Sequence, residues 1–154
     1  MKIGIIIYSN TGHTNYVAGK LEEKLLMAGN EVEIQHLRVE GGQQVSNKNS
    51  KIKNPPILDK YDALIFGAPV HSFSLSKVMD IYLNQIQSLK DKKVICFVTK
   101  GLPFNWTGGN QAISKMQKTV SSKEGIVFGT EIIIWNQNRD HKIDEMVQKF
   151  TKMF

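Results

Sequence analysis

The stretch "KIGIIIYSNTGHT", residues 2–14, changes character at its midpoint. Residues 2–8 are almost continuously apolar, the pattern of a strand covered on both faces of a parallel sheet. Residues 9–14, "SNTGHT", then crowd three hydroxyls, an amide, a glycine and an imidazole into one short loop. A helical stripe follows at once: Val17, Ala18, Leu21, Leu25 and Ala28, with Lys20, Glu22, Glu23 and Lys24 between them. A strand that runs through a loop into a helix places the loop at the helix N-terminus. Unpaired N–H groups and a partial positive charge there favour an anion.

The same alternation continues to the end of the chain. "EVEIQHL" (31–37) alternates like an edge strand, while "DALIFGA" (62–68) and "KVICFVT" (93–99) read as buried strands. "GIVFGTEIIIW" (125–135) is a strand pattern with a glycine inside it. Leu75, Val78, Met79, Tyr82, Leu83, Ile86 and Leu89 recur at helical spacing. Ala112, Ile113, Met116 and Val120 do so more weakly, and Ile143, Met146, Val147 and Phe150 close the chain with an amphipathic helix. Strands alternating with helices in this way predict an α/β fold: three layers, doubly wound, around a five-stranded parallel sheet. Residues 39–60 interrupt the rhythm with two glycines, two prolines and many polar residues. A long loop is expected there, with at most a short helix near 55–60. No repeat or linker divides the chain, so residues 1–154 are expected to form a single domain.

The chain has 154 residues, 41% hydrophobic and 22% charged, an ordinary globular mixture. No run reaches the roughly 18 apolar residues of a membrane span, and the N-terminus lacks a signal-peptide pattern. One cysteine, Cys96, excludes an internal disulfide and a cysteine-rich metal site. The expected location is cytoplasmic, with no metal. Net charge is +6. The lysines are scattered, which reads either as a lysine-rich surface or as steering of an acidic protein or anionic substrate. No run combines basic and aromatic residues as nucleic-acid modules do, so no nucleic-acid partner is expected.

In open parallel sheets, ligands bind beyond the carboxyl ends of the strands. Three loops of unusual composition leave such ends: "SNTGHT" (9–14), "PVHSFS" (69–74) and "KGLPFNWTGG" (100–109). In the first, Gly12 lets the backbone approach an anion. Ser9, Thr11 and Thr14 supply hydroxyls, and Asn10 supplies an amide. No lysine or arginine is present, so the loop suits a phosphate monoester held by neutral donors. His13 either faces solvent or adds charge when protonated. Neither G-x-G-x-x-G nor G-x-x-x-x-G-K-[ST] occurs in the chain. An acidic cluster for a phosphoacceptor is missing from residues 8–14, and Cys96 is not followed by C-x-x-x-x-x-R.

Ser9-Asn10-Thr11-Gly12-His13-Thr14 fits [ST]-x-T-G-x-T, the first-loop signature of the flavodoxin-like FMN-binding family, and the strand–helix alternation resembles that family over the whole chain. The resemblance implies strand order 2-1-3-4-5, with the FMN phosphate on residues 9–14 and the flavin ring between the two later loops. Ala68, Pro69, Val70, His71, Ser72 and Phe73 would form one wall. Thr99, Lys100, Gly101, Phe104, Trp106, Gly108 and Gly109 would form the other. Lys100 is then either solvated or close to the pyrimidine edge, and His71 is the candidate for proton delivery or substrate orientation. Cys96 lies mid-strand and reads as packing.

The implied function is that of an FMN-binding redox protein. It would be either an electron carrier with a redox partner protein or a small FMN-dependent NAD(P)H/quinone-type oxidoreductase with small-molecule donors and acceptors. A binding module that keeps the fold without flavin is the alternative. The chain departs from carrier flavodoxins in three ways: a basic charge balance, no tyrosine or acid in "GLPFNWTGG", and no glycine in "PVHSFSLS". It lacks the fifth-strand insertion of long-chain flavodoxins and resembles the short-chain form.

Overall fold

Six strands and four helices lie along the described residues, which in this computed structural model are 1–41 and 50–154. Strand β1 (Lys2–Ile7) leads into helix α1 (His13–Met27), and β2 (Glu31–His36) follows. Strand β3 (Ala63–His71) turns back into the two-residue β4 (Ser74–Leu75) before α2 (Lys77–Gln85). The chain continues through β5 (Lys93–Lys100), α3 (Gly109–Ser122), β6 (Ile126–Ile134) and α4 (Arg139–Thr151). The five long strands are parallel and lie in the order β2-β1-β3-β5-β6, the expected 2-1-3-4-5 arrangement. Strand β4 is an addition: it pairs antiparallel with the end of β3, Val70 opposite Leu75 and His71 opposite Ser74.

Burial explains the sequence pattern. Strands β1, β3 and β5 are central, so Ile5, Ile65 and Ile95 align across the sheet and are fully buried. Side chains of alternate residues feed two cores, one on each face. Helices α1 and α4 cover the face that holds Ile3, Ile5 and Phe97; α2 and α3 cover the face that holds Ile6, Phe66 and Val98. Phe97 needs room that only a missing side chain provides, and its ring lies where a Cβ on Gly67 would stand. In β6, the register with β5 steps from Val94–Val127 to Ile95–Gly129, leaving Phe128 as the extra residue of a bulge. That bulge accounts for the glycine within the strand pattern.

One expectation is corrected. The stripe from Leu75 to Leu89 is not one helix. Leu75 belongs to β4, and α2 stops at Gln85 because Ile86 turns extended (φ −63°, ψ 131°). Ile86 and Leu89 remain buried because the connection to β5 also runs against the core, and the Leu89 N–H donates to Lys123 O at 2.6 Å. Residues 55–60 contain no helix; a turn closes there instead, with Tyr61 N–H donating to Leu58 O. The expected long loop is described at 39–41 and 50–60, where Val39 bridges Ile52. Its remainder, 42–49, lies outside the described residues.

Glu131 ties α4 to β6 through Lys149 (3.0 Å) and Lys142 (3.4 Å). Burial raises its pKa, but the Lys149 bond, the Ile132 N–H and Lys142 outweigh burial, and the net shift is downward from 4.5. A lowered folded-state pKa contributes stability above the unfolded value, lost as pH falls through the folded one. Glu131→Gln should therefore lower stability by about 1 kcal/mol near neutrality and make no difference well below pH 4.5, as read from urea melts. In the same assay Gly67→Ala should cost about 1–3 kcal/mol by overpacking against Phe97. Gly19→Ala, with open space around it within α1, should instead add up to about 1 kcal/mol.

Candidate functional site

The chain leaves β1, the strand between β2 and β3, through residues 8–12, and this is where the strand order reverses. Clefts form at such points because successive connections depart to opposite sides of the sheet. Gly12 precedes α1 in the left-handed region (φ 91°), which a side chain would disfavour, and no side chain caps the helix there. The Ser9 hydroxyl accepts from Asn15 N–H (3.2 Å), and Tyr16 N–H returns to Gly12 O (2.9 Å). The N–H groups of His13 and Thr14 have no acceptor among the described residues. Asn10, Thr11 and Gly12 are exposed.

Thr14 differs from the expectation of a third ligand hydroxyl. It is buried, and its Oγ1 hydrogen-bonds Thr99 Oγ1 at 3.0 Å. That bond ties the start of α1 to the end of β5. His13 is neither free in solvent nor directed by the loop alone: its ring stacks on Trp135, with centroids 4.0 Å apart and planes 9° from parallel.

The second loop is a two-residue hairpin. Ser72 (φ 50°) and Phe73 (φ 61°) both adopt the left-handed region, the backbone pattern of a type I′ turn. Neither is glycine, so the turn carries strain that its surroundings must hold. Gly108 supplies part of that hold. A Cβ on it would lie 2.6 Å from Phe73 Cα and 2.7 Å from Val70 Cγ1. Gly108 is itself left-handed (φ 106°) and immediately precedes α3 as its N-cap. The two walls expected around a ring thus touch at Gly108. Ala68 is fully buried, Pro69 O accepts from Ser76 N–H, and Ser76 caps α2. His71 is exposed and meets Tyr8 edge-on at 6.4 Å. Partial burial lowers its pKa from 6.5, so the ring is mainly neutral at pH 7.

Lys100 is the largest departure from the sequence reading. It is only 5% exposed, and its Nζ donates to Leu102 O, Phe104 O and the Thr107 hydroxyl. These three bonds use all the N–H groups of an ammonium. Burial lowers its pKa. Lys100 is therefore a staple inside the 101–107 loop rather than a solvated or ligand-edge charge. The stapled loop presents Phe104 and Trp106 outward, 60% and 68% exposed, stacked on each other at 5.8 Å. Gly101 has open space around it, and Gly109 packs against Ile132 and the Lys100 stem.

Cys96 is fully buried, and burial pushes its thiol up to about 12, so it is packing and not a nucleophile. Three residues near the loops escaped sequence reading: Tyr16, Trp135 and Arg139. Trp135 follows the end of β6, on the carboxyl side of the sheet, and that position was the available signal. Among the described residues, no helix is long and apolar enough to cross a membrane, and no metal-binding cluster occurs.

No curated protein sequence matches the chain. Its fold is similar to that of oxidised Flavodoxin 2 from Bacillus cereus, at TM-score 0.72 and 19% identity over 100% of both chains. Megasphaera elsdenii flavodoxin in its two-electron reduced form gives TM-score 0.71 and 20% identity, covering 97% of this chain and 98% of that one. The WrbA-like flavodoxin protein from Agrobacterium tumefaciens gives TM-score 0.71 and 12% identity, covering 99% and 96%. Identities this low speak to the fold. The flavodoxin domain model, however, matches the sequence itself over residues 5–127, a span that includes all three loops. The chain belongs to the flavodoxin domain family.

Proposed function

We propose that the protein binds FMN and acts as a redox protein, an electron carrier or a small flavin-dependent oxidoreductase. The observation that carries this reading is the loop between β1 and α1. At the point where strand order reverses, Gly12 opens the helix N-terminus, the His13 and Thr14 N–H groups are without acceptors among the described residues, and Thr11 is exposed beside them. These donors fit a phosphate monoester, with the helix dipole favouring its charge. Ser9 and Thr14 act differently from simple ligands: their hydroxyls hold the turn in shape through Asn15 and Thr99.

The apolar part of the ligand has suitable surfaces close by. Phe73, Phe104 and Trp106 present exposed rings at the same end of the sheet. Planar aromatic faces of this kind hold a flat ring and exclude water from it. When bound, FMN supplies the electron- or hydride-transfer chemistry. His71, mainly neutral, offers one N–H donor and one acceptor at the edge of this surface, the role of a proton-delivery or substrate-orienting residue. Residues 9–14, 69–77 and 100–109 contain no Asp or Glu, while Lys77 begins α2 beside them. That balance suits an acidic redox partner or an anionic electron donor.

Thr11→Glu places a carboxylate where the phosphate is proposed to sit. The variant should fold, since Thr11 is exposed, and should bind FMN at least about 100-fold more weakly, roughly 2.7 kcal/mol; unchanged affinity refutes the assignment. Lys100→Met keeps the apolar stem and removes the three donors. Because it also removes a buried charge, global stability should change little. Hydrogen exchange at residues 101–107 should quicken, and protection equal to wild type would contradict the staple. Oxidation of NAD(P)H by a quinone then separates the two modes: turnover without a partner protein marks an enzyme, and reduction only through a partner reductase marks a carrier.

A further inference from the structure

The first loop is held by something outside its own motif. Residues 10–12 are exposed, and β1 ends at Ile7, so the sheet does not fix them. The Ser9–Asn15 and Thr14–Thr99 bonds hold either end of the turn. His13, the first residue of α1, is held instead by Trp135, across the sheet at the end of β6. The imidazole lies flat on the indole, 4.0 Å away and 9° from parallel, which fills one face of the ring. The Arg139 guanidinium also lies over the indole, its Cζ 5.2 Å from the ring centroid.

The surroundings of the stack are in turn held. The Trp135 backbone N–H donates to Lys100 O (2.8 Å), fixing the main chain from which the indole projects, and Arg139 Nη1 donates to Asn136 O (3.1 Å). Tyr16, one helical turn after His13, meets the indole edge-on at 5.8 Å, and its hydroxyl donates to Asp140 (3.2 Å). The stack thus joins the first turn of α1 to the start of α4. An anion cradle of backbone N–H groups works only if the groups already converge, because ordering them on binding would cost affinity.

We propose that Trp135 is a positioning residue for the anion loop: clamped by Arg139, it fixes His13 and so pre-sets the N–H groups of residues 13 and 14 for phosphate. The inference rests on the FMN reading above. It assigns a role to a residue that the first-loop motif does not contain.

The test compares FMN with riboflavin, which lacks the phosphate, by flavin fluorescence titration of the flavin-free protein. Their affinity ratio isolates the phosphate contribution, and a general loss of stability does not move it. Trp135→Ala should reduce the ratio about three- to tenfold, the range expected for loss of one aromatic stack. Trp135→Phe should restore most of it. Trp135→Ala combined with His13→Ala should lose no more than His13→Ala alone, because both remove the same contact. A Trp135→Ala protein with a lower melting temperature and an unchanged ratio overturns the proposal, as do fully additive effects. Arg139→Gln leaves the indole in place and covers the case in which Trp135→Ala does not fold: it should also lower the ratio, and an unchanged ratio there counts equally against the proposal. A wild-type protein that fails to prefer FMN over riboflavin refutes the phosphate-loop reading itself, and the positioning role falls with it.

Discussion

The carboxyl end of β5 depends on burying a lysine ammonium where acceptors can reach it. An ammonium taken out of water is costly unless each of its N–H groups is bonded. Lys100 finds its partners in Leu102 O, Phe104 O and the Thr107 hydroxyl, so the chain from 101 to 107 must curl over it. That curl turns Phe104 and Trp106 outward. The neighbouring Thr99 hydroxyl bonds Thr14 of α1, and the Lys100 carbonyl takes the backbone N–H of Trp135, just after β6. Two consecutive residues of one strand thereby hold the loops that follow three different strands.

This arrangement divides labour between rigid and exposed parts. The strands are dry and interlocked, with Ile3, Ile5, Ile65 and Phe97 fully buried. The groups available to a ligand are backbone N–H groups and aromatic faces at the strand ends, where neither is needed for packing. The strained Ser72–Phe73 turn follows the same logic: Gly108, left-handed and without a side chain, gives the hairpin its seat. Residues 69–74 and 100–109 therefore act as one unit, and a change at Gly108 reaches both.

Much of the fold was legible because parallel strands buried on both faces leave unbroken apolar runs, as in residues 2–8 and 93–99. The first-loop motif was legible because few folds need three hydroxyls, an amide and a glycine at one helix start. The hidden features are those that depend on distant partners. Leu75, Ile86 and Leu89 keep helical spacing yet lie outside α2, since an extended connection over a core also buries apolar residues. Strand β4 has two residues and no period to detect. Lys100 reads as a surface charge until the carbonyls of its own loop are placed around it. Thr14 and His13 look like ligand groups in a list of residues, but Thr99 and Trp135 claim their side chains.

The central claim is that this family fold holds a flavin nucleotide through the loop after β1. The most direct measurement is the visible absorption spectrum of the purified protein, followed by chromatography of any flavin released on denaturation. The account predicts a yellow protein with oxidised-flavin absorption, or a colourless one that takes up FMN in one-to-one stoichiometry, and in both cases FMN as the species bound. A protein that carries no flavin and neither binds nor is stabilised by added FMN would contradict it.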